Sequence, residues 1–339
     1  MKYKFFAFAA ACVFVLSGIN AVAQTKANNQ LAALLPASDG VITLDVQRLL
    51  NEAAPQVLAG KPQMLGNINA KIDEIRNKTG LDARQFDQLV IGVATKQTNT
   101  PEVDLEPVFL ARGKYNAAAL IALAKLASNG KYREEKIGNR AIYVFTGKEI
   151  IGQNKPQTKN SWFDKMIDRL VNSLTKEVAV TSLDSNTLAF GSLARVRATF
   201  ETKARVSNEV LSLINRKPNA IMSFGARLPN GLSKFIDLDN DELGRTLDSI
   251  RQVSGAIEVA DGTVVSMTAK TLNAEQAQSL HETLEGLQML GKMLVGSKSE
   301  DKKVLVRLID NARITRSLTE VSLDLLVPQS DINILLGVK

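Results

Sequence analysis

The chain has almost none of the residues that build disulfides, metal centres or nucleophile–base pairs. It contains one cysteine, one histidine and one tryptophan in 339 residues. Ser-His-Asp and Cys-His systems need a histidine in a fixed partnership, and zinc sites draw most of their ligands from histidine and cysteine. His281 would open a zinc-protease motif, but the second histidine that the motif requires is replaced by Glu285. We therefore expect His281 to be an ordinary helix residue.

The single cysteine, Cys12, lies in a segment with the order of a secretory signal peptide. Two lysines precede an apolar stretch at 5–16, and small residues at 21–23 form a cleavage site. We expect cleavage after Ala23, export to the periplasm or to the outside of the cell, and a mature chain without disulfides. The alternative is lipidation at Cys12, for which Ala9 is a poor substitute for the usual large aliphatic residue.

Long apolar runs and clusters of charge of one sign are also missing after residue 23. No later stretch approaches the roughly 20 apolar residues of a membrane-spanning helix, so we expect none in the mature chain. Without the two leader lysines the formal net charge falls from +7 to +5, and the charges alternate in sign, as at 133–136. Nucleic-acid-binding domains concentrate Lys and Arg beside stacking aromatics. The sequence therefore indicates no nucleic-acid partner, and the absence of glycine-rich phosphate loops indicates no cofactor.

One acidic cluster looks superficially like a calcium loop. Asp237, Asp239 and Asp241 alternate, with Asp248 at the twelfth position. The sixth position of such a loop is a glycine that permits a sharp turn, and here it is Glu242. We interpret the cluster as the acidic first turn of a helix, and we expect no metal site.

Two stretches resemble copies of one unit. Residues 72–80 and 247–255 share Asp, Ile, Arg and Gly at equivalent positions. Each stretch is typical of the last turns of an amphipathic helix that its glycine terminates. A strand is expected before each helix, at 41–46 and at 220–224. The agreement indicates an internal duplication.

The same order of elements continues after both stretches. A strand pair follows, expected at 88–95 with 107–112 and at 256–260 with 263–270. The second pair is joined by Asp-Gly, a strong hairpin signal because both turn positions favour positive φ. Asn116 and Asn273 then precede helical patterns and are good N-caps. A last strand is expected at 141–145 and at 320–327.

The order β-α-β-β-α-β, found twice, predicts an α+β fold. We expect two related ferredoxin-like modules with mainly antiparallel sheets and helices on one face. The domains are then a signal peptide at 1–23, a first module at 24–200 and a second module at 201–339.

An insertion at 148–178 departs from the repeat. It combines a polar loop with an amphipathic helix whose apolar side includes Trp162, Phe163, Met166 and Leu170. Packed on the first module, this side would be core. Exposed, it would be an interaction surface for an envelope protein, a peptide or a lipid. The pattern favours packing, and these four residues are our candidate interaction surface if the face is exposed.

Residues 34–41, Leu-Leu-Pro-Ala-Ser-Asp-Gly-Val, resemble the start of the mature part of certain exported bacterial proteins of unknown function. That resemblance covers the N-terminal part only and implies no catalytic or binding residue. The missing catalytic inventory, the expected export and the duplicated architecture together favour a non-catalytic binding protein of the cell envelope. The alternative is a periplasmic hydrolase using Asp45, Asp73 or Glu258, because paired carboxylates suffice for glycoside hydrolysis.

The signal-peptide assignment predicts a mature chain that begins at Gln24. Intact-mass measurement of the protein from the exported fraction should give the mass of residues 24–339 without modification. A chain that begins at a lipidated Cys12 would contradict both the cleavage site and the cysteine-free mature chain.

Overall fold

A computed structural model gives the fold of much of the chain. The described residues are 27–97, 103–146, 177–201, 204–229, 233, 241–260, 262–295 and 300–336. From residue 23 onward the chain forms two compact units, one with residues 23–47 and 66–211 and the other with residues 48–65 and 212–339. Within the described residues, no helix is long and apolar enough to cross a membrane.

Strands and helices alternate along the described chain. The strands are β1 (Gly40–Asp45), β2 (Phe86–Gln97), β3 (Val103–Gly113), β4 (Tyr132–Ile137), β5 (Arg140–Thr146), β6 (Glu177–Asp184), β7 (Thr187–Gly191), β8 (Met222–Arg227), β9 (Ile250–Val259), β10 (Gly262–Thr271), β11 (Arg313–Ser317) and β12 (Glu320–Pro328). The helices are α1 (Ala27–Ala32), α2 (Val46–Arg48), α3 (Ala54–Val57), α4 (Pro62–Thr79), α5 (Ala117–Ala127), α6 (Leu193–Ala198), α7 (Asn208–Ile214), α8 (Asp241–Ser249), α9 (Ala274–Val295), α10 (Glu300–Asn311) and α11 (Gln329–Leu335). A π-helical turn, Leu49–Ala53, joins α2 to α3, and a 3₁₀ turn, Ala83–Gln85, precedes β2.

The first unit contains a seven-stranded sheet in the order β1-β2-β3-β7-β6-β5-β4, with every neighbouring pair antiparallel. The predicted pairing of 88–95 with 107–112 is confirmed, since Gln88 lies opposite Arg112 and Val93 lies opposite Pro107. The apolar run 108–111 in β3 buries Val108 and Leu110 completely on one face. A continuous apolar run of this kind is typical of a strand covered on both sides.

Helices cover both faces of this sheet, so the prediction of helices on one face is wrong here. On one face, α1 contacts β1, β2 and β3, and α6 contacts β3, β5, β6 and β7. On the opposite face, Ala117 and Ile121 of α5 form a buried cluster with Leu188 of β7. The register of β3 and β7 explains why the two helices cover different faces. Leu188 lies opposite Ala111 and shares its face, and that face is the one opposite to Val108 and Leu110, because successive side chains of a strand alternate.

The second unit contains a five-stranded antiparallel sheet in the order β8-β9-β10-β12-β11. The predicted Asp-Gly hairpin is confirmed, since Val259 lies opposite Thr263. Helix α9 packs its first half on this sheet, where Ala277 and Leu280 are buried beside Ile250 and Val321. One hydrophobic cluster of this unit therefore lies between α9 and the sheet.

An α+β fold with extended antiparallel sheet is therefore confirmed, but the ferredoxin-like order is not observed. A split βαβ unit joins parallel strands through its crossover helices. In each unit here, the strand before the first long helix pairs antiparallel with the strand after it, β1 with β2 and β8 with β9. In the first unit, the β6–β7 hairpin also enters the sheet between β3 and β5.

The two glycines that aligned the copies have different roles. Gly80 ends α4 with φ of +72°, and its amide donates to the carbonyl oxygen of Arg76, as a helix-terminating glycine does. Gly255 lies inside β9, so its prediction as a helix stop is wrong. A Cβ at Gly255 would lie 2.3 Å from the ring of Phe224 on the neighbouring strand. The glycine is required for that close approach.

The two asparagine caps are confirmed. The side-chain oxygen of Asn116 accepts from the amide of Ala119 at 3.0 Å, and that of Asn273 accepts from the amide of Gln276 at 2.9 Å. Both asparagines begin the helix that follows a hairpin of their own unit. A cap satisfies a helix amide that has no partner within the helix.

The segment 34–41 is held by a buried arginine. Arg195 of α6 is only 7% exposed, and it donates to the carbonyl oxygen of Ala37 at 2.6 Å and to the Ser38 hydroxyl at 2.7 Å. Ser38 donates in turn to the carbonyl oxygen of Pro36 at 2.8 Å. Burial lowers the pKa of the Arg195 guanidinium, and its Nε finds no hydrogen-bond partner among the described residues. The segment is therefore an anchored part of the first unit.

Loss of Arg195 should destabilise the first unit. Arg195→Ala removes two hydrogen bonds from a charged donor, one of them to the buried Ser38 hydroxyl, and opens a cavity. We expect the free energy of unfolding, measured in urea, to fall by about 3 kcal/mol. The control is Arg197→Ala on the same helix, where an exposed ion pair with Glu135 is lost and a smaller change is expected. Equal losses in both variants would contradict a structural role for the buried arginine.

Candidate functional site

The four residues proposed from sequence as an interaction surface, Trp162, Phe163, Met166 and Leu170, lie outside the described residues. Their role stays a prediction. The described residues allow the three candidate carboxylates, the histidine and two further surface features to be located.

The candidate hydrolase carboxylates lie on separate elements, and each has a neighbour of its own. Asp73 on α4 accepts from Nη1 of Arg84 at 2.8 Å, and Glu258 on β9 lies 3.6 Å from Nζ of Lys217. Asp45 is buried at the end of β1. The hydrogen bond from Arg84 lowers the pKa of the Asp73 carboxyl. A general acid in glycoside hydrolysis requires the opposite shift, so this environment disfavours Asp73 in that role.

The described residues form no metal centre of three or more His, Cys, Asp or Glu side chains. Nδ1 of His281 lies 3.5 Å from Glu285 one turn further along α9, as expected for a helix residue. Asp248 accepts from the amide and the hydroxyl of Ser233, at 2.7 and 2.6 Å. Asp237 and Asp239 lie outside the described residues.

A cavity of about 240 Å³ lies in the first unit between α5 and the strands β5 and β6. It is lined by small residues, polar residues and two cations: Ala118, Ile121, Ala122, Lys125, Asn139, Arg140, Ala141, Tyr143, Thr181 and Ser182. Alanines on α5 and β5 leave the space open, because no larger side chain fills the gap between helix and sheet. The lining contains no carboxylate. The sequence analysis missed the cavity, since it depends on pairing between β5 and β6, which are distant in the chain.

Both cations of the cavity rest on aromatic rings. Nζ of Lys125 lies 3.6 Å from the ring centroid of Tyr143 and 5.2 Å from that of Tyr132. The guanidinium of Arg140 lies 5.0 Å from the ring centroid of Phe200. Cation–π contacts hold a cation in place without neutralising its charge. Tyr143 packs against α5, whereas Phe200 follows α6, so the two charged ends lie on different faces of the sheet.

An apolar ridge lies on the second half of α9. We define the ridge as Met289, Leu290 and Met293, which are 62%, 54% and 72% exposed. Met293 lies four positions after Met289 and three after Leu290, so its side chain is adjacent to both and the three form one patch. By helical periodicity, the ridge lies on the side of α9 opposite Leu280, which faces the core. The sequence of 274–295 contains this second set of apolar residues at helical spacing, in addition to the set that faces the core. That second set is the signal from which the ridge could have been predicted.

The helix that carries the ridge is firmly attached. Nε2 of Gln288 donates to the carbonyl oxygens of Ile309 and Ala312, at 2.6 and 2.8 Å. Lys292 forms an ion pair with Asp310 of α10 at 2.5 Å. The ridge is thus presented on a helix with a fixed position relative to α10.

Comparisons with known proteins give little further information. No family model matches the chain, and no curated protein matches it. Among solved structures, the chain is similar to crystal form I of TP0453, with 7% identity and a TM-score of 0.39, covering 91% of this chain and 96% of that chain. A similarity at this level carries no information on function.

The ion pair of Asp73 predicts a dependence of stability on pH. Because the pKa of Asp73 is lower in the folded protein, its stabilising contribution is present above the ordinary carboxyl pKa and is lost as pH falls through the folded-state pKa. The melting temperature of Asp73→Asn should therefore fall less steeply between about pH 5 and pH 3 than that of the unchanged protein. Glu275→Gln, which removes an exposed carboxylate from α9, is the control. Parallel curves for the unchanged protein and Asp73→Asn would contradict the prediction.

Proposed function

We propose that the protein is an exported component of the cell envelope that acts by binding another protein, without catalysis. The observation that carries the proposal is the apolar ridge on α9. Monomeric proteins expose single apolar residues routinely, whereas contiguous large apolar side chains on a fixed helix are typical of interaction sites. Methionine suits such a surface because its flexible, polarisable side chain adapts to a partner.

The attachment of α9 supports a preformed docking surface. The bonds from Gln288 and the pair between Lys292 and Asp310 fix the helix before any partner arrives. A rigid surface loses little conformational entropy on binding, which favours affinity for a given buried area.

The chemistry of α9 favours a protein partner over a lipid surface. Helices that lie on membranes are rich in Lys and Arg on their polar side and contain large aromatics. Helix α9 has three acids, Glu275, Glu282 and Glu285, one lysine, one histidine, no arginine and no Phe, Tyr or Trp. The complementary partner is an apolar patch with basic residues around it. Export itself is supported by the signal-peptide pattern of residues 1–23.

The carboxylate contacts support binding over hydrolysis. Arg84 holds Asp73, and Lys217 lies beside Glu258. The hydrogen bond from Arg84 lowers the pKa of the Asp73 carboxyl, so Asp73 is not poised to donate a proton near neutral pH.

Removal of the ridge should abolish partner capture. The unchanged protein and Met289→Gln/Met293→Gln are cross-linked in envelope extract of the native cells, and captured proteins are quantified by mass spectrometry. We expect at least a tenfold loss of the specific partner in the double variant, because its apolar contacts are removed without added charge. The control, Leu272→Gln/Leu326→Gln, alters two exposed apolar residues elsewhere in the same unit and should retain capture.

Three results would overturn the proposal. Equal capture by both double variants would remove the ridge from the interaction. Binding to anionic vesicles with no captured protein would indicate a lipid-binding helix. Turnover of a glycoside or ester substrate that disappears in Asp45→Asn, Asp73→Asn or Glu258→Gln would indicate an enzyme.

A further inference from the structure

Helix α5 is apolar on every side. All of its residues except Lys125 are Ala, Leu or Ile. Ala117 and Ile121 are buried and face the sheet, where they form a cluster with Leu188. A helix that is apolar all round is normally enclosed by protein or by a membrane. The side of α5 that faces away from the sheet is therefore expected to meet an apolar partner.

That side is exposed and uninterrupted by charge. We define the outer face of α5 by its exposed residues on the side opposite the two buried ones: Ala118, Ala119, Ala122, Leu123, Leu126 and Ala127. Leu126 is 74% exposed. A Cβ on Gly80 would lie 2.9 Å from Cδ1 of Leu123, so the partly exposed Leu81 borders the same face. Contiguous exposed apolar residues are typical of interaction sites.

Basic residues flank the outer face at both ends of the helix. The chain from 107 to 133 contains lysines and arginines but no acid. Lys114 precedes α5 and Lys131 follows it, and both are exposed. The amide of Lys114 donates to the carbonyl oxygen of Gln85 at 2.7 Å, and that of Lys131 donates to the carbonyl oxygen of Ser128 at 2.9 Å. These bonds fix the backbone of both lysines beside the ends of the helix.

Two exposed acids of the sheet lie near α5. Asp184 belongs to the β6–β7 turn, which accepts the amide of the first residue of the helix, and Glu134 lies on β4 opposite Tyr143. Neither belongs to the outer face. With Lys114, Lys125 and Lys131 around the helix, the surroundings keep an excess of positive charge, which attracts anionic surfaces.

The chemistry of the outer face distinguishes lipid from protein as its partner. Protein interfaces are enriched in aromatic residues and arginine and contain many hydrogen bonds. The outer face has only alanine and leucine side chains, which neither donate nor accept hydrogen bonds. Hydrocarbon requires apolar area and no hydrogen bond, and lysines beside an apolar face keep their charged ends among the headgroups.

We infer that the outer face of α5 is a docking surface for an anionic lipid bilayer, on which the helix lies parallel to the membrane plane. A helix of 11 residues is about 16 Å long, which is too short to cross a hydrocarbon core of about 30 Å. Without an aromatic side chain on the outer face, the attachment is weak and reversible. The surface lies in the first unit and is independent of the ridge on α9.

Flotation of the mature chain, residues 24–339, with lipid vesicles tests the surface. Vesicles of phosphatidylcholine with about 30% phosphatidylglycerol should bind the protein at least about fivefold more strongly than phosphatidylcholine alone, since each lysine near an anionic surface adds attraction. Salt at about 0.5 M should release the protein, because it screens that attraction. Lys114→Gln/Lys131→Gln should weaken binding to the anionic vesicles about fivefold or more.

The apolar contribution is tested with matched variants. Leu123→Gln/Leu126→Gln should weaken vesicle binding at least about tenfold, because two apolar side chains no longer enter the hydrocarbon. Leu272→Gln/Leu326→Gln replaces two exposed leucines of the second unit and should bind vesicles like the unchanged protein. Circular dichroism and melting curves of every variant show whether it folds normally.

A fluorescent label locates the contact. The mature chain has no cysteine of its own, so Ala119→Cys and Ser279→Cys each give a single attachment point for an environment-sensitive dye. The label at position 119 should shift to shorter wavelength when anionic vesicles are added. The label at position 279, an exposed position on α9, should not change.

Four results would overturn the inference. These are equal binding to neutral and anionic vesicles, unchanged binding by Leu123→Gln/Leu126→Gln, a dimer of the protein that this variant dissociates, and a clear fall in the melting temperature of this variant. The third would indicate a second copy as the partner, and the fourth would indicate that the face is covered within the folded chain.

Failure here is distinguishable from failure of the proposed partner binding. Met289→Gln/Met293→Gln leaves the outer face of α5 intact and should float with anionic vesicles normally. Leu123→Gln/Leu126→Gln leaves the ridge intact and should still capture the protein partner.

Discussion

The register of β3 against its two neighbours determines how the first unit is organised. Pairing with β2 and β7 places Phe109 beside Phe190, with ring centroids 4.8 Å apart, and places Val108 and Leu110 on the opposite face. A shift of one residue would exchange the two faces, so every helix contact depends on this register. The face with Val108 receives α1 and α6, and the face with Leu188 receives α5. The cavity exists because α5 meets the second face with alanines.

Local signals in the sequence predicted the elements well. Asn116, Asn273, Gly80 and the Asp-Gly turn each act through their own backbone neighbours, so a short window contains all the necessary information. The pairing of distant strands has no such signal. The β6–β7 hairpin joins β3 across more than 70 residues of chain, and its presence changes the topology from the expected one. Segment 48–65 packs with residues that begin at 212, and periodicity alone does not encode contacts over that distance in the chain.

Gly255 shows why a short sequence match misled. Its neighbours share residue types with the end of α4, but the strand is selected by pairing with β8 and β10 and by the contact with Phe224. Tertiary context overrides a local pattern of this length. The Leu-Pro-Ala-Ser segment is a second example, because Arg195 and Ser38 hold it by hydrogen bonds to carbonyl oxygens and to the Ser38 hydroxyl. These contacts give the segment a structural role and carry no statement about ligands.

The distribution of charge connects the folding of the protein to the function proposed for it. Acids such as Asp73, Glu135 and Glu320 are engaged with Arg84, Arg197 and Arg216, and these contacts lower their carboxyl pKa values. Such groups stabilise structure and are poor proton donors near neutral pH. Lys125 and Arg140 are different, because their charged ends contact aromatic rings and form no ion pair among the described residues. Acids committed to ion pairs and an apolar ridge on a fixed helix fit the binding function proposed above.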